Sequence, residues 1–383
     1  MLTAAGCEGR RRRLLSALDP APEWIALAHP AHLVYFANFY PTPFSFRSQN
    51  ASALLLLGAD GSSTLFADNL QDTFLQAAHV DDRVTVDWYR GRESAPERNS
   101  VLESAALEWF RGRTATPGGV DHAVSMALLS AVAGAVVPDV RNISPVVHQL
   151  RRRKDPDEVA LMRRSIAAGE AGFEAAIGGI TPGMTELQAY GLIQSAAIES
   201  AGQPVVVYGD FASGPRTEEK GGPPTARVIE SGDLFLLDYS VVVHGYRGDF
   251  TNTFVVGDRE ATPAQRDLEA ICLEAMHAGE ALLASGAEAR GIDAAVRGVF
   301  TAHGEEPFPH HSGHGLGLGH PDPPYLTSGS TDYLEDGDIV TLEPGAYRSG
   351  IGGMRFERNY VITAAGFELL THHRLGLHPA RQG

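Results

Sequence analysis

Apolar residues in the first 145 positions come in short runs broken by turn residues, with one stretch of helical spacing among them. "EWIALA" (23–28) and "ASALLLLGADGSSTLFAD" (51–68) read as strands, the second folded on itself at its Ala-Asp-Gly turn. "RVTVDWY" (83–89) alternates as a strand does, and "NSVLESAALEWF" (99–110) has helical spacing. This order predicts a small α/β domain.

The pattern changes at "LRRRKDPDEVALMRRS" (150–165). Asp155 suits an N-cap and Pro156 the first helical position, while Asp157 and Glu158 put negative charge where the helix dipole favours it. Val159, Met162, Ile166, Phe173 and Ile177 fall on one face of the predicted helix, and Gly178 and Gly179 end it. Thr185 with Gln188 predicts a capping box for a second helix running to Gly202. Thr262, Pro263 and Gln265 repeat the signal for a third. Between and after these helices lie strand pairs. "LFLLDYSVVV" and "YRGDFTNTFVVG" flank a His-Gly turn at 244–245, and "DIVTLEPG" and "RFERNYVIT" follow late in the chain. Helices set against hairpins predict an α+β second domain, with the division placed at 1–147 and 148–383. Neither a low-complexity segment nor a short-period repeat is present.

Composition narrows the functional classes. The 383 residues are 43% hydrophobic, enough for two cores. A formal net charge of -16 excludes a nucleic-acid partner, because phosphate binding depends on clustered Lys and Arg. The basic run Arg10 to Arg13 is expected to be a solvated helix turn. Cys7 and Cys272 form no motif and are expected to be free thiols in a reducing compartment. No apolar run reaches membrane-spanning length and no secretory signal is readable, so the expected location is the cytoplasm.

Acidic residues in the late strands carry the chemistry. Strand interiors are poor in Asp and Glu. Yet Asp238 follows Phe235, Leu236 and Leu237, and Asp249 lies on the return strand. Glu343 follows "VTL", and Glu357 stands at the start of "ERNYVIT". One such acid is more often a strand-end residue or a salt-bridge partner. Four drawn from two hairpins would repel one another without a cation, and two divalent metals would resolve that. Carboxylates with one imidazole suit Mn, Co, Zn or Fe, and His314, between Gly313 and Gly315, is the natural nitrogen ligand.

Asp238, Asp249, "SGHGLGLGH", "TLEPG" and "GGMRFERNYVIT" together resemble the pita-bread metallopeptidases, which include Xaa-Pro aminopeptidase, prolidase and methionine aminopeptidase. The family's five ligands run Asp, Asp, His, Glu, Glu, and each has a match here. "LRRRKDPDEVALMRRS" and "ITPGMTE" resemble its linking helix and turn, and the first 145 residues more loosely resemble a creatinase/prolidase N-terminal domain. The resemblance implies a pita-bread catalytic domain preceded by that smaller α/β domain, and commonly a homodimer. It implies two divalent ions (Mn, Zn or Co), with Asp238 chelating one, His314 and Glu343 the other, and Asp249 and Glu357 bridging. The ions would share a hydroxide, with Glu343 as general base. His310 would contact substrate, and His320 and Arg355 would act in the site. Thr251 is either an outer partner of a ligand or a plain β-branched strand residue. His311 is expected to pack or face solvent.

The match departs from the family in three places. His320 stands six residues after His314, where the family has a histidine at seven and this chain has Pro321. Xaa-Pro aminopeptidases carry a proton-donating histidine upstream of the first metal Asp. The corresponding place here is near Gly221 in "EKGGPPTARV", and no histidine occurs between His148 and His244. Arg358 follows Glu357 where the family commonly has Asp.

The reading is a metallopeptidase of aminopeptidase P or prolidase type, acting on small proline-containing peptides, with neither nucleic acid nor membrane as partner. Its rivals are a C–N hydrolase resembling creatinase or ectoine hydrolase and a non-catalytic pseudo-peptidase. The missing histidine favours the first rival, and the complete ligand set opposes the second.

Overall fold

The computed structural model describes residues 1–111, 117–133 and 139–378, in two compact units, Met1–Arg151 and Arg152–Gly383. In the first unit the strands are β1 (Trp24–Leu27), β2 (Ala53–Gly58), β3 (Ser63–Asp68), β4 (Asp82–Val86), β5 (Gly118–Val120) and β6 (Val140–Asn142). The helices are α1 (Ala4–Ala17), α2 (Pro30–Ala37), α3 (Asp72–Gln76), α4 (Arg98–Leu107), α5 (Met126–Ala133) and α6 (Ser144–Leu150). The sheet runs β4-β3-β2-β1-β5-β6, mixed in direction, with β2 and β3 as the expected hairpin. The anticipated division at 147/148 falls inside α6, which stays with the first unit.

The basic run of α1 departs from expectation. Arg10 and Arg11 are buried, at 0% and 6% exposure. Arg10 Nε donates to Tyr35 O at 2.7 Å, and Arg11 Nη1 donates to Phe36 O and His79 O at 2.8 and 2.7 Å. The last carbonyls of a helix lack internal partners and attract positive charge. Two guanidinium groups therefore cap the end of α2, and only Arg12 and Arg13 face water.

The second unit begins with α7 (Pro156–Gly179), with the Asp155 N-cap and terminal glycines as read from sequence; Glu158, expected only as first-turn charge, also completes a capping box. α8 (Glu186–Ala201) ends at Gly202 in the left-handed conformation. The buried face of α7 centres on Met162, Ile166, Gly169 and Phe173, whereas Val159 and Ile177 are only half-buried at its edges. Strands β7 (Val206–Ser213), β8 (Leu234–Val243) and β9 (Tyr246–Val255) form an antiparallel sheet against α7. Gly169 allows close approach, since a Cβ there would overlap the Phe250 ring. His244 and Gly245 turn between β8 and β9 with φ of 52° and 85°, as two-residue hairpin loops of the primed type require.

Helices α9 (Pro263–Glu280) and α10 (Ala289–Ala302) enclose a second core with the remaining strands. These are β10 (Gly313–Gly315), β11 (Asp322–Leu326), β12 (Ile339–Leu342), β13 (Gly345–Arg348), β14 (Gly352–Arg355), β15 (Arg358–Thr363) and β16 (Gly366–Leu369). They make a sheet ordered β11-β10-β12-β15-β16 and a separate β13-β14 hairpin. Both cysteines are buried thiols outside any disulfide. Among the described residues no helix is long and apolar enough to cross a membrane.

Candidate metal centre

Register builds the first wall of the site. Asp238 pairs with Thr251 and with Asp210, and Ser240 pairs with Asp249 and with Tyr208. Directly opposed residues of an antiparallel sheet point to the same face, as do alternate residues of one strand. Tyr208, Asp210, Asp238, Ser240, Asp249 and Thr251 therefore share one face. The alternate residues Leu237, Tyr239 and Val241 take the other and are buried. His314 on β10, Glu343 just past β12 and Glu357 just before β15 supply the second wall. The cavity between the walls is about 300 Å³ and is lined by all five expected ligands together with His310, His320 and Arg355.

The five residues converge as two overlapping groups. Donor atoms of Asp238, Asp249 and Glu357 all lie within 4.8 Å of one another. His314 Nε2 is 3.7 Å from Asp249 Oδ2 and 3.6 Å from Glu343 Oε1. The His314 Nδ1 is 2.8 Å from Gly315 O, so this nitrogen carries the proton and Nε2 offers its lone pair to the cavity.

Neighbours orient the carboxylates. Ser240 Oγ donates to Asp249 Oδ1 at 2.9 Å, and Thr341 Oγ1 to Glu343 Oε1 at 3.1 Å. Thr251 Oγ1 donates to Glu357 Oε2 at 2.7 Å, which settles the two readings of Thr251. Arg358 turns away toward Glu280 at 3.8 Å, so its presence in place of Asp leaves Glu357 undisturbed.

The electrostatics are those of crowded acids short of positive charge. Burial, with repulsion from Asp249, Asp210 and Glu343, raises the Asp238 carboxyl to about 7 despite Arg355. Burial and the neighbouring acids push Glu357 well above the usual carboxylate range. Burial opposes ionisation of Asp249 and Glu343 too. Hydrogen bonds from His320 and His311, respectively, hold both below their ordinary values. His311 and His320 are correspondingly raised by those carboxylates against the effect of burial. This donor set, all oxygen on one side and oxygen with imidazole on the other, fits two divalent ions.

The other expected residues are also placed. His310 Nε2 is 2.9 Å from the Tyr347 hydroxyl, and burial pulls its imidazole down to about 4. Arg355 Nη2 contacts Asp238 and lies 2.7 Å from Asp210 Oδ2, while Nη1 donates to Tyr347 at 3.0 Å. Its fork is therefore committed to protein groups. His311 does not merely pack or face solvent, because its Nε2 is 3.2 Å from Glu343 Oε1. Asp210 and Tyr347 were not anticipated. Asp210 carries the signal used for Asp238, an acid inside an apolar strand, while Tyr347 gives none. Gly221, where the upstream histidine would stand, has φ of 128°, and a Cβ there would run into the Asp210 carboxylate. The carboxylate fills the space a side chain would need.

Comparison with known proteins agrees with this geometry. A sequence model of metallopeptidase family M24 matches residues 160–364. An uncharacterized peptidase of Staphylococcus aureus (strain USA300) is 29% identical over 248 residues, 63% of this chain and 69% of that protein. The Xaa-Pro dipeptidase from Bacillus anthracis superposes with a TM-score of 0.81 at 25% identity, covering 98% of this chain and 100% of that one. The X-Pro aminopeptidase from Thermotoga maritima MSB8 shares the fold with a TM-score of 0.80 at 21% identity, covering 97% and 99%. The chain belongs to metallopeptidase family M24. It has that family's pita-bread fold, and it is a metallopeptidase.

Proposed function

We propose that this peptidase hydrolyses Xaa-Pro bonds in small peptides, with Asp238, Asp249, His314, Glu343 and Glu357 holding two divalent ions. The observation that carries the reading is the convergence of all five side chains on one cavity from separate strands. The ions, when bound, supply water of lowered pKa, near 7, and Lewis acidity toward a carbonyl.

The chain's own groups do the rest. Glu343, fixed by Thr341 and His311, takes the proton of the attacking water. His310 is kept neutral by burial, with Nδ1 on His311 O and Nε2 on the Tyr347 hydroxyl, so it shapes the pocket wall that the substrate meets and reaches the substrate through Tyr347 or its ring edge. Arg355 holds Asp238 in place and does not bind the substrate's carboxylate.

One observation favours a second reading, a C–N hydrolase that does not cleave peptides. The place of the upstream histidine holds Gly221 against Asp210, so the leaving nitrogen lacks that proton donor. A peptide-library assay with Mn(II), Co(II) and Zn(II), with Glu343→Ala as control, decides between them. Turnover confined to Xaa-Pro peptides and abolished in the control supports the first reading. No peptide turnover at full metal occupancy would sink it.

A further inference from the structure

His320 stands one residue nearer His314 than the family spacing, and its contacts differ from those of a group facing substrate. Its Nε2 lies 2.6 Å from Asp249 Oδ2, the oxygen that is also 3.7 Å from His314 Nε2. Donor atoms of Asp249, His314 and His320 all lie within 4.8 Å of one another. The two imidazole centroids are 5.1 Å apart with the rings at 65°. Ion–nitrogen bonds of about 2.0–2.1 Å place each ring centre roughly 3.2 Å from a shared ion, hence ring centres about 5 Å apart at a tetrahedral angle.

The second ring nitrogen is also provided for. His320 Nδ1 is 3.4 Å from the Tyr208 hydroxyl, and Arg247 Nη1 donates to that same oxygen at 2.8 Å. The oxygen keeps a lone pair for an Nδ1–H. In the metal-free chain Nε2–H donates to Asp249; an ion bound between them would replace that proton, and the Nδ1–H tautomer would then turn the Nε2 lone pair to the ion. Metal-bound histidines generally donate their other N–H to such an outer partner, as His314 does to Gly315.

We propose that His320 is a direct ligand of the ion held by His314 and Glu343, additional to the five residues named above. The inference rests on the reading of the cavity as a metal centre. It makes the two positions chemically unequal. One has two imidazoles with carboxylates, a set that suits Zn, Co or Ni. The other, formed by Asp238, Asp249 and Glu357, is all oxygen and suits Mn. His311, whose Nε2 faces Glu343, stays a hydrogen-bond donor to that carboxylate.

The test is titration of the metal-free full-length chain with Co(II), read by visible d–d absorption and by equilibrium dialysis. His320→Ala should weaken one of the bound ions by about 10–100-fold and change its spectrum. Free imidazole should restore the spectrum. Circular dichroism checks the fold, and His320→Gln, which keeps a polar side chain on the loop, serves as second variant. An unchanged affinity and spectrum in both variants, while His314→Ala loses the ion, would overturn the assignment and leave the metal centre standing. A spectral change in His311→Ala but not in the His320 variants would overturn it as well. If the wild-type chain takes up no Co(II), both the assignment and the proposed centre fall.

Discussion

Arg355 joins two acids that face each other across neighbouring strands. Its Nη2 lies 2.7 Å from Asp210 and contacts Asp238, the residue opposite Asp210 in register. Removing one partner of a buried ion pair leaves an uncompensated charge, at about 3–5 kcal/mol. In the metal-free chain Arg355→Met should cost about that much at pH 8, where Asp238 is ionised, and clearly less at pH 5, where its carboxyl, at about 7 even with Arg355 present, is protonated. Denaturant unfolding at the two pH values measures the difference. An equal loss at both would show that the pair is not electrostatic.

Thr251→Val keeps the shape of the side chain and deletes the 2.7 Å bond to Glu357. The expected cost is about 1–2 kcal/mol in stability, with a fall of roughly tenfold or more in metal affinity. Calorimetric metal titration beside thermal unfolding separates the two effects. Unchanged metal affinity would mean that Thr251 does not orient Glu357.

Packing behind the site is equally specific. Gly169→Ala puts a methyl group into the Phe250 ring, next to Asp249. Overpacking of this kind costs about 1–3 kcal/mol. The urea midpoint should fall, and metal uptake should weaken because the β9 strand is displaced. A variant with wild-type midpoint would show that α7 can shift without penalty.

The first unit should be acid-labile. His32 is fully buried, with Nδ1 2.8 Å from Asp121, and its centroid is 4.8 Å from that of His29. Burial holds both imidazoles below the ordinary histidine value, His29 at about 4. Between about pH 4 and 6.5 the unfolded chain therefore binds more protons than the folded one. Stability should rise with pH across that window and level off above it. His29→Gln should flatten the rise. Unfolding curves of the metal-free chain at pH 5 and 7 provide the check.

Local signals survived folding wherever a residue acts on its own neighbours. The N-cap at Asp155, the capping boxes at Thr185 and Thr262 and the His244–Gly245 turn are satisfied within a few positions, so spacing alone reveals them. The acids of β8 and β9 were equally legible, because a carboxylate in an apolar strand costs free energy that only a partner offsets. The same argument reached Glu343, Glu357 and His314, and the resemblance gave all five their order as a ligand set. The burial of Arg10 and Arg11 was not legible. Their partners are the carbonyls of Tyr35, Phe36 and His79, and a backbone carbonyl has no letter in the sequence.

By itself the sequence marked the acids and His314 that converge on the cavity, the helices α4 and α7 to α9 and the β2–β3 and β8–β9 hairpins, since these follow from residue type and short spacing. Tertiary structure alone decided how those side chains share charge. Asp210 meets Asp238 only through strand register, and it fills the space beside Gly221 because that glycine has no side chain. His311, just before β10, and His320, just after it, reach Glu343 and Asp249 only because β10 pairs beside β12 and faces the β8–β9 hairpin across the cavity. Interactions between charges fall off with distance and grow with burial, and both are set by packing between residues far apart along the chain.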